Sequence, residues 1–214
     1  MKEIEILSQI ECYLKEEWTI LEKKEKDLSP KASQLMKLEE MCKKCTRCEL
    51  HKYATNLVFS DGSPEAKLVF VGEAPGAEED AQGKPFVGRA GKLLTATLES
   101  MGMPRKDVYI CNILKHRPPE NRNPLPHEIS ACTPYLVEQL NIIRPTLIVT
   151  LGNFSTKFLL NTEEGISRLR GIEKQSPLGY SVMPTYHPAA VLRNMNLLKD
   201  FQKDIEYAVN RVKI

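Results

Sequence analysis

No apolar run in the 214-residue chain approaches the roughly 18 residues that a membrane-crossing helix needs. The first residues are charged and helical in pattern, unlike a secretory leader. Both features predict a cytoplasmic protein with no membrane contact. Net charge is small as well: 30 basic residues against 28 acidic ones leave +2. That balance neither demands a nucleic-acid partner nor excludes one, because a local basic face can sit within a neutral total. Internal repeats and low-complexity tracts are absent. Three ligand signatures are missing too. Without G-x-x-x-x-G-K-[ST] or G-x-G-x-x-G there is neither a P-loop nor a dinucleotide fingerprint. Without G-x-S-x-G an α/β-hydrolase nucleophile is unsupported. What remains is 42% hydrophobic and 27% charged, a composition that builds a globular core.

Cysteine is the first thing present in notable number. In a reducing compartment, six cysteines point to metal ligation or buried thiols rather than disulfides. Residues 1–28 carry Ile4, Leu7, Ile10, Leu14, Trp18 and Leu21 at helical spacing, then a charge run from Glu22 to Asp27. They predict an amphipathic N-terminal extension suited to packing or dimerisation. Ser29-Pro30 is an N-cap and first-turn pair opening a second helix with Leu35, Leu38 and Met41. The core domain is expected to start there and run over 29–214. Its first helix leads into Cys42-Lys43-Lys44-Cys45-Thr46-Arg47-Cys48. Thiols repeated every third residue on so short a segment signal a metal centre, zinc or iron–sulfur, whose other ligands come from elsewhere.

Four short apolar runs read as strands: Leu68 to Val71, Val108 to Asn112, Thr146 to Leu151 and Tyr180 to Pro184. Helical stretches separate them, notably Lys92 to Ser100, Pro126 to Ile143 and Met195 to Val212. Strands alternating with helices predict a three-layer α/β/α sandwich around a central four-stranded parallel sheet. The strands' carboxyl ends then bring Glu73, Asn112, Gly152 and the segment Thr185-Tyr186-His187-Pro188 to one rim. Phe86 lies in the polar loop after the first strand. An amide, an aromatic face, an imidazole and a carboxylate can together hold a flat heterocycle and act on its bond to a sugar. Each also has a plainer use: Asn112 as a strand-end turn residue, Phe86 as core filling, His187 as a helix cap.

Five blocks, taken in order, resemble the iron–sulfur (family-4) uracil-DNA glycosylases. They are Gly72-Glu73-Ala74-Pro75-Gly76, Pro85-Phe86-Val87-Gly88-Arg89-Ala90-Gly91, Val108-Tyr109-Ile110-Cys111-Asn112, Lys115-His116-Arg117-Pro118-Pro119 and His187-Pro188-Ala189-Ala190-Val191-Leu192-Arg193-Asn194. The resemblance implies a monomeric, monofunctional enzyme that removes uracil from single- or double-stranded DNA and so initiates base excision repair. Glu73 would position or activate the attacking water, and His187 would hydrogen-bond uracil O2 as the glycosidic bond breaks. Gly72, Phe86 and Asn112 would bind the base, while Leu192 and Arg193 would meet DNA. The family's cluster cysteines fall on Cys45, Cys48, the position before Arg117-Pro118, and Cys132. Here the third is His116, so the resemblance implies a [4Fe–4S] cluster on Cys45, Cys48, His116 and Cys132, with Cys42 as a rival ligand. A neighbouring branch that cross-links to DNA through a histidine has a loop insertion and a Gln at the Glu73 position; this chain has neither. The competing expectation is a catalytically inert DNA-binding module of the same fold, associated with a phage-type DNA polymerase. A zinc-stabilised interaction protein would explain the cysteines alone.

Overall fold

A computed structural model describes residues 28–213. The helix expected within residues 1–28 therefore lies outside the described residues, apart from Leu28. Four parallel strands form the centre: β2 (Leu68–Gly72), β3 (Tyr109–Asn112), β4 (Leu147–Leu151) and β6 (Ser181–Thr185). All residues of β2, β3 and β4 are buried, which is why they read as unbroken apolar runs rather than alternating ones. Among the described residues the sheet has six strands, not four, because β1 (Asp61–Gly62) and β5 (Lys174–Gln175) flank the centre in the order β1-β3-β2-β4-β6-β5. The two additions are antiparallel edges of two residues each. Strands so short and polar carry no hydrophobic pattern to read.

Alternate residues serve the two faces. Val69, Val71, Cys111 and Ile148 pack under α4 (Pro126–Ile143), through Leu136, Leu140 and Ile143. Phe70, Ile110, Val149 and Met183 pack under α3 (Arg89–Ser100) and α8 (Leu198–Lys213), through Leu94, Leu98, Phe201 and Ile205. Each large apolar side chain removed from water contributes about 1.5–3 kcal/mol, so these two layers dominate stability. No helix among the described residues is long and apolar enough to cross a membrane.

Helix α1 (Pro30–Lys43) opens where Ser29 Oγ accepts from the Ala32 amide at 3.3 Å. Its last turn holds Cys42, and the chain has left the helix by Cys45, whose amide donates to the Cys42 carbonyl at 3.0 Å. Where the sequence reads as a polar loop after β2, a six-residue helix, α2 (Ala77–Gln82), forms. Three further short helices follow β4 and β6: α5 (Asn153–Leu160), α6 (Ile166–Leu169) and α7 (Pro188–Arg193). A 3₁₀ turn at Met195–Leu197 precedes α8, where one continuous helix was expected. Register sets Gly72 beside Asn112 and Leu151 beside Thr185, so the carboxyl ends of the parallel strands share one rim. Strand order reverses direction about β2, the position at which open α/β sheets leave a crevice.

Candidate active site

The crevice is a cavity of about 540 Å³, lined among others by Glu73, Phe86, Asn112, Tyr186, His187 and Arg193. That volume suits a small ring. Asn112 ends β3 and is 1% exposed. Its backbone carbonyl accepts from the buried Lys115 ammonium at 2.7 Å. Its side-chain Oδ1 is buried without a hydrogen-bond partner among the described residues. An orphaned acceptor in a cavity calls for a donor from outside the chain. Gly72, its neighbour on β2, is required by close approach: a Cβ there would overlap both Asn112 Oδ1 and the Phe86 ring.

Phe86 is 6% exposed and packs against one core layer while its ring faces the cavity. Its φ is 53°, the left-handed region, which for a bulky residue costs on the order of 1–3 kcal/mol. The loop keeps that conformation because Glu79 Oε1 accepts from the Val87 and Gly88 amides at 3.0 and 2.9 Å. Gly91 leaves room beneath it, since a Cβ at that position would overlap the Phe86 carbonyl.

His187 precedes α7 and caps it, Nδ1 accepting from the Ala189 amide at 3.1 Å. That bond assigns the ring proton to Nε2, so the neutral imidazole is a hydrogen-bond donor on its other side. Burial, with the Arg193 charge adding to it, pushes its pKa down to about 4, and the ring stays neutral at physiological pH. The imidazole centroid lies 5.7 Å from that of Phe86 at 35°. Glu73 follows β2; burial alone pushes its carboxyl up to about 7. Arg193 is exposed at the cavity mouth and Leu192 is partly buried beside it. Asn153, Phe154 and Arg122 also line the cavity. Sequence reasoning passed over them because they sit on loop and helix ends with no motif of their own.

The thiols collect on the opposite layer. Cys42 and Cys132 are buried; Cys45 and Cys48 pack against the same core cluster. Burial pushes the Cys42 thiol up to about 12, against the opposing pull of the Lys115 charge. Cys132 Sγ accepts from the Lys115 amide at 3.3 Å, and the Lys115 charge opposes the burial that raises the Cys132 pKa to about 11. Lys115 is fully buried, and no carboxylate pairs with it among the described residues. His116 is partly buried and shares a second cavity, about 510 Å³, with Cys45 and His51. Burial lowers its pKa, and the His51 charge does so further. No three acidic, thiol or imidazole groups among the described residues converge tightly enough to hold a single metal ion.

A family model described as the Uracil DNA glycosylase superfamily matches residues 59–210, all four parallel strands and the whole cavity rim included. The chain belongs to this superfamily. Among superfamily relatives, the Type-4 uracil-DNA glycosylase of Archaeoglobus fulgidus is 48% identical over 170 residues, 76% of this chain and 85% of that protein. The Type-4 uracil-DNA glycosylase of Thermotoga maritima is 45% identical over 179 residues, 82% of this chain and 93% of that protein. The DNA polymerase of Bacillus phage SP01 is 36% identical over 146 residues, 68% of this chain but 16% of the polymerase. Superfamily membership thus rests on the family model over residues 59–210, and these relatives agree with it over most of the chain.

Proposed function

We propose that this chain is a monofunctional uracil-DNA glycosylase, a hydrolase acting on the N-glycosidic bond of uracil in DNA. The observation that carries the reading is the orphaned Asn112 Oδ1 beside an aromatic face. Uracil offers an N3–H donor and an O4 acceptor side by side, the complement of one carboxamide. Cytosine has no proton on N3 and would set two acceptors against each other.

The target nucleotide must leave the stack first, which costs a few kcal/mol and least at a mismatch. Its base then stacks on Phe86 with its edge on Asn112, while the thymine C5-methyl is excluded by the wall from Glu73 to Phe86. His187 Nε2–H donates to O2 and stabilises the negative charge that gathers on the departing base. As the C1′–N1 bond breaks, a water held by ionised Glu73 attacks C1′ and gives its proton to that carboxylate. The products are a uracil anion and an abasic sugar. Among the described residues no lysine lines the cavity, so none of them places an amine for a following lyase step.

Incubating the protein with labelled uracil-containing oligonucleotides, then with alkali, tests the reading; intact strands would reject it. Leu192 and Arg193 serve as the duplex-facing pair. Leu192→Ala should slow excision from duplex more than from single strands, and equal losses would make Leu192 a packing residue.

The thiols fit a [4Fe–4S] cluster. A buried lysine without a carboxylate partner suits a net-negative neighbour, and the Lys115 amide already points at Cys132 Sγ. Cys45, Cys48, His116 and Cys132 would hold the cluster, and when bound it supplies cross-links between segments far apart in sequence. Cys42 competes with His116 for the fourth position, because it is buried in the same core cluster as Cys132, against which Cys45 and Cys48 pack. Iron content and visible absorbance decide between them. His116→Ala should lose iron and Cys42→Ser should keep it; the opposite pair of results would transfer the fourth position to Cys42.

The inert polymerase-associated reading is not favoured. Glu73, Asn112 and His187 all line one cavity, and the two Type-4 uracil-DNA glycosylases named above are matched over 85% and 93% of their own length, against 16% of the phage polymerase.

A further inference from the structure

We propose that Arg105, which does not line the cavity, is a positioning residue that sets the Phe86 ring against the flipped base. The inference rests on the uracil-site reading above. A phenylalanine at φ 53° has no local reason to stay there, so contacts from elsewhere must fix it. Glu79 holds the two amides that follow Phe86, as described. Arg105 holds the carbonyl before Phe86 and the one of Phe86 itself: Nη2 donates to Pro85 O at 2.6 Å and Nη1 to Phe86 O at 3.0 Å. The loop is therefore gripped on both sides of the strained residue.

Arg105 is itself held. Its Nε donates to Asp61 Oδ2 at 2.8 Å, and Nη1 also reaches Thr95 Oγ1 at 3.2 Å. Asp61 belongs to β1 and Thr95 to α3, so the guanidinium ties the Phe86 loop to the sheet edge and to a core helix. A planar fork with five donors can serve these four acceptors at once; a lysine ammonium, with three, cannot keep the geometry. The ring that this clamp orients lies against the imidazole that is to donate to uracil O2. Movement of the stacking surface by about an ångström relative to that donor is enough to cost on the order of a hundredfold in rate.

The test is a double-mutant cycle: Arg105→Ala and Arg105→Lys, each made in the wild-type chain and in Phe86→Gly. Phe86→Gly removes the ring while a glycine adopts the positive φ without strain. Single-turnover excision and the Kd for free uracil are measured, with thermal melting to confirm the fold. With Phe86 present, Arg105→Ala should weaken uracil binding about tenfold and excision about 30- to 100-fold, with Arg105→Lys intermediate. In Phe86→Gly, the same changes should alter either quantity by less than about twofold. Equal losses in both backgrounds would make Arg105 merely structural and overturn the inference. If Arg105→Ala does not fold, Arg105→Lys carries the comparison. A wild type that neither binds free uracil nor excises it would overturn the site reading and this inference together. A wild type that does both, with equal Arg105 losses in the two backgrounds, would overturn the inference alone.

Discussion

Replacing His187 with alanine is expected to slow single-turnover excision about 100- to 1,000-fold while DNA affinity changes little. In the proposed mechanism the neutral imidazole donates one hydrogen bond to charge that exists mainly in the transition state, and one such donor is worth about 2.7–4 kcal/mol. The pH profile separates this role from that of Glu73. Only ionised Glu73 can take a proton from water, so the rate should rise about tenfold per pH unit below its pKa and level off above about 7. His187→Ala should keep that midpoint, because the imidazole is uncharged across the range. Glu73→Gln should abolish it. A midpoint lost in His187→Ala and kept in Glu73→Gln would exchange the two assignments.

The same two groups affect stability with opposite sign. Glu73 has a raised folded pKa, so its contribution is full below its ordinary value of 4.5 and lost as pH rises through about 7. His187 has a lowered one, so its contribution is present above its ordinary 6.5 and lost as pH falls through about 4. Between 4.5 and 6.5 the two slopes oppose each other, and melting temperatures taken across that window separate a change of rate from a change of stability.

Asn112→Ala is expected to remove base selectivity along with rate. A site built to hydrogen-bond its substrate rejects an analogue lacking the partner groups by about 10⁴–10⁵, because buried polar atoms are left unpaired. With the carboxamide gone, neither uracil nor cytosine is read, and their excision rates should converge by at least about a hundredfold. Paired oligonucleotides that differ only in uracil or cytosine give the ratio directly. A ratio equal to wild type in Asn112→Ala would place the reading edge elsewhere in the cavity.

The four parallel strands were legible because burial on both faces leaves uninterrupted apolar runs such as Leu68 to Val71. The rim residues were legible for a related reason: Glu73 and Asn112 stand at the ends of such runs, and His187 follows the last one. The plainer uses of two residues do not take them away from the cavity. His187 is a helix cap, and that capping bond is what puts its proton on the cavity side. Phe86 fills core and faces the cavity at once. Arg105 was not legible, since its acceptors on the Phe86 loop are backbone carbonyls 19 and 20 residues away. Helix α2 was missed because its start depends on the Glu79 carboxylate, which reaches the Gly76 amide at 3.2 Å, and not on an apolar stripe. Lys115 lay within a recognisable block, but nothing in its neighbours announced that an ammonium so placed would be wholly buried.

The two edge strands also govern what this sheet does in company. Parallel strands brought together from distant parts of the chain form late and, until covered, offer rows of free amides and carbonyls to any other extended chain. Here each flank ends in a two-residue antiparallel strand, Asp61-Gly62 on one side and Lys174-Gln175 on the other. A template that short, polar and charged gives an incoming segment almost nothing to zip onto. The described sheet therefore resists growing by strand addition, and the cavity opens away from both flanks, at the carboxyl rim.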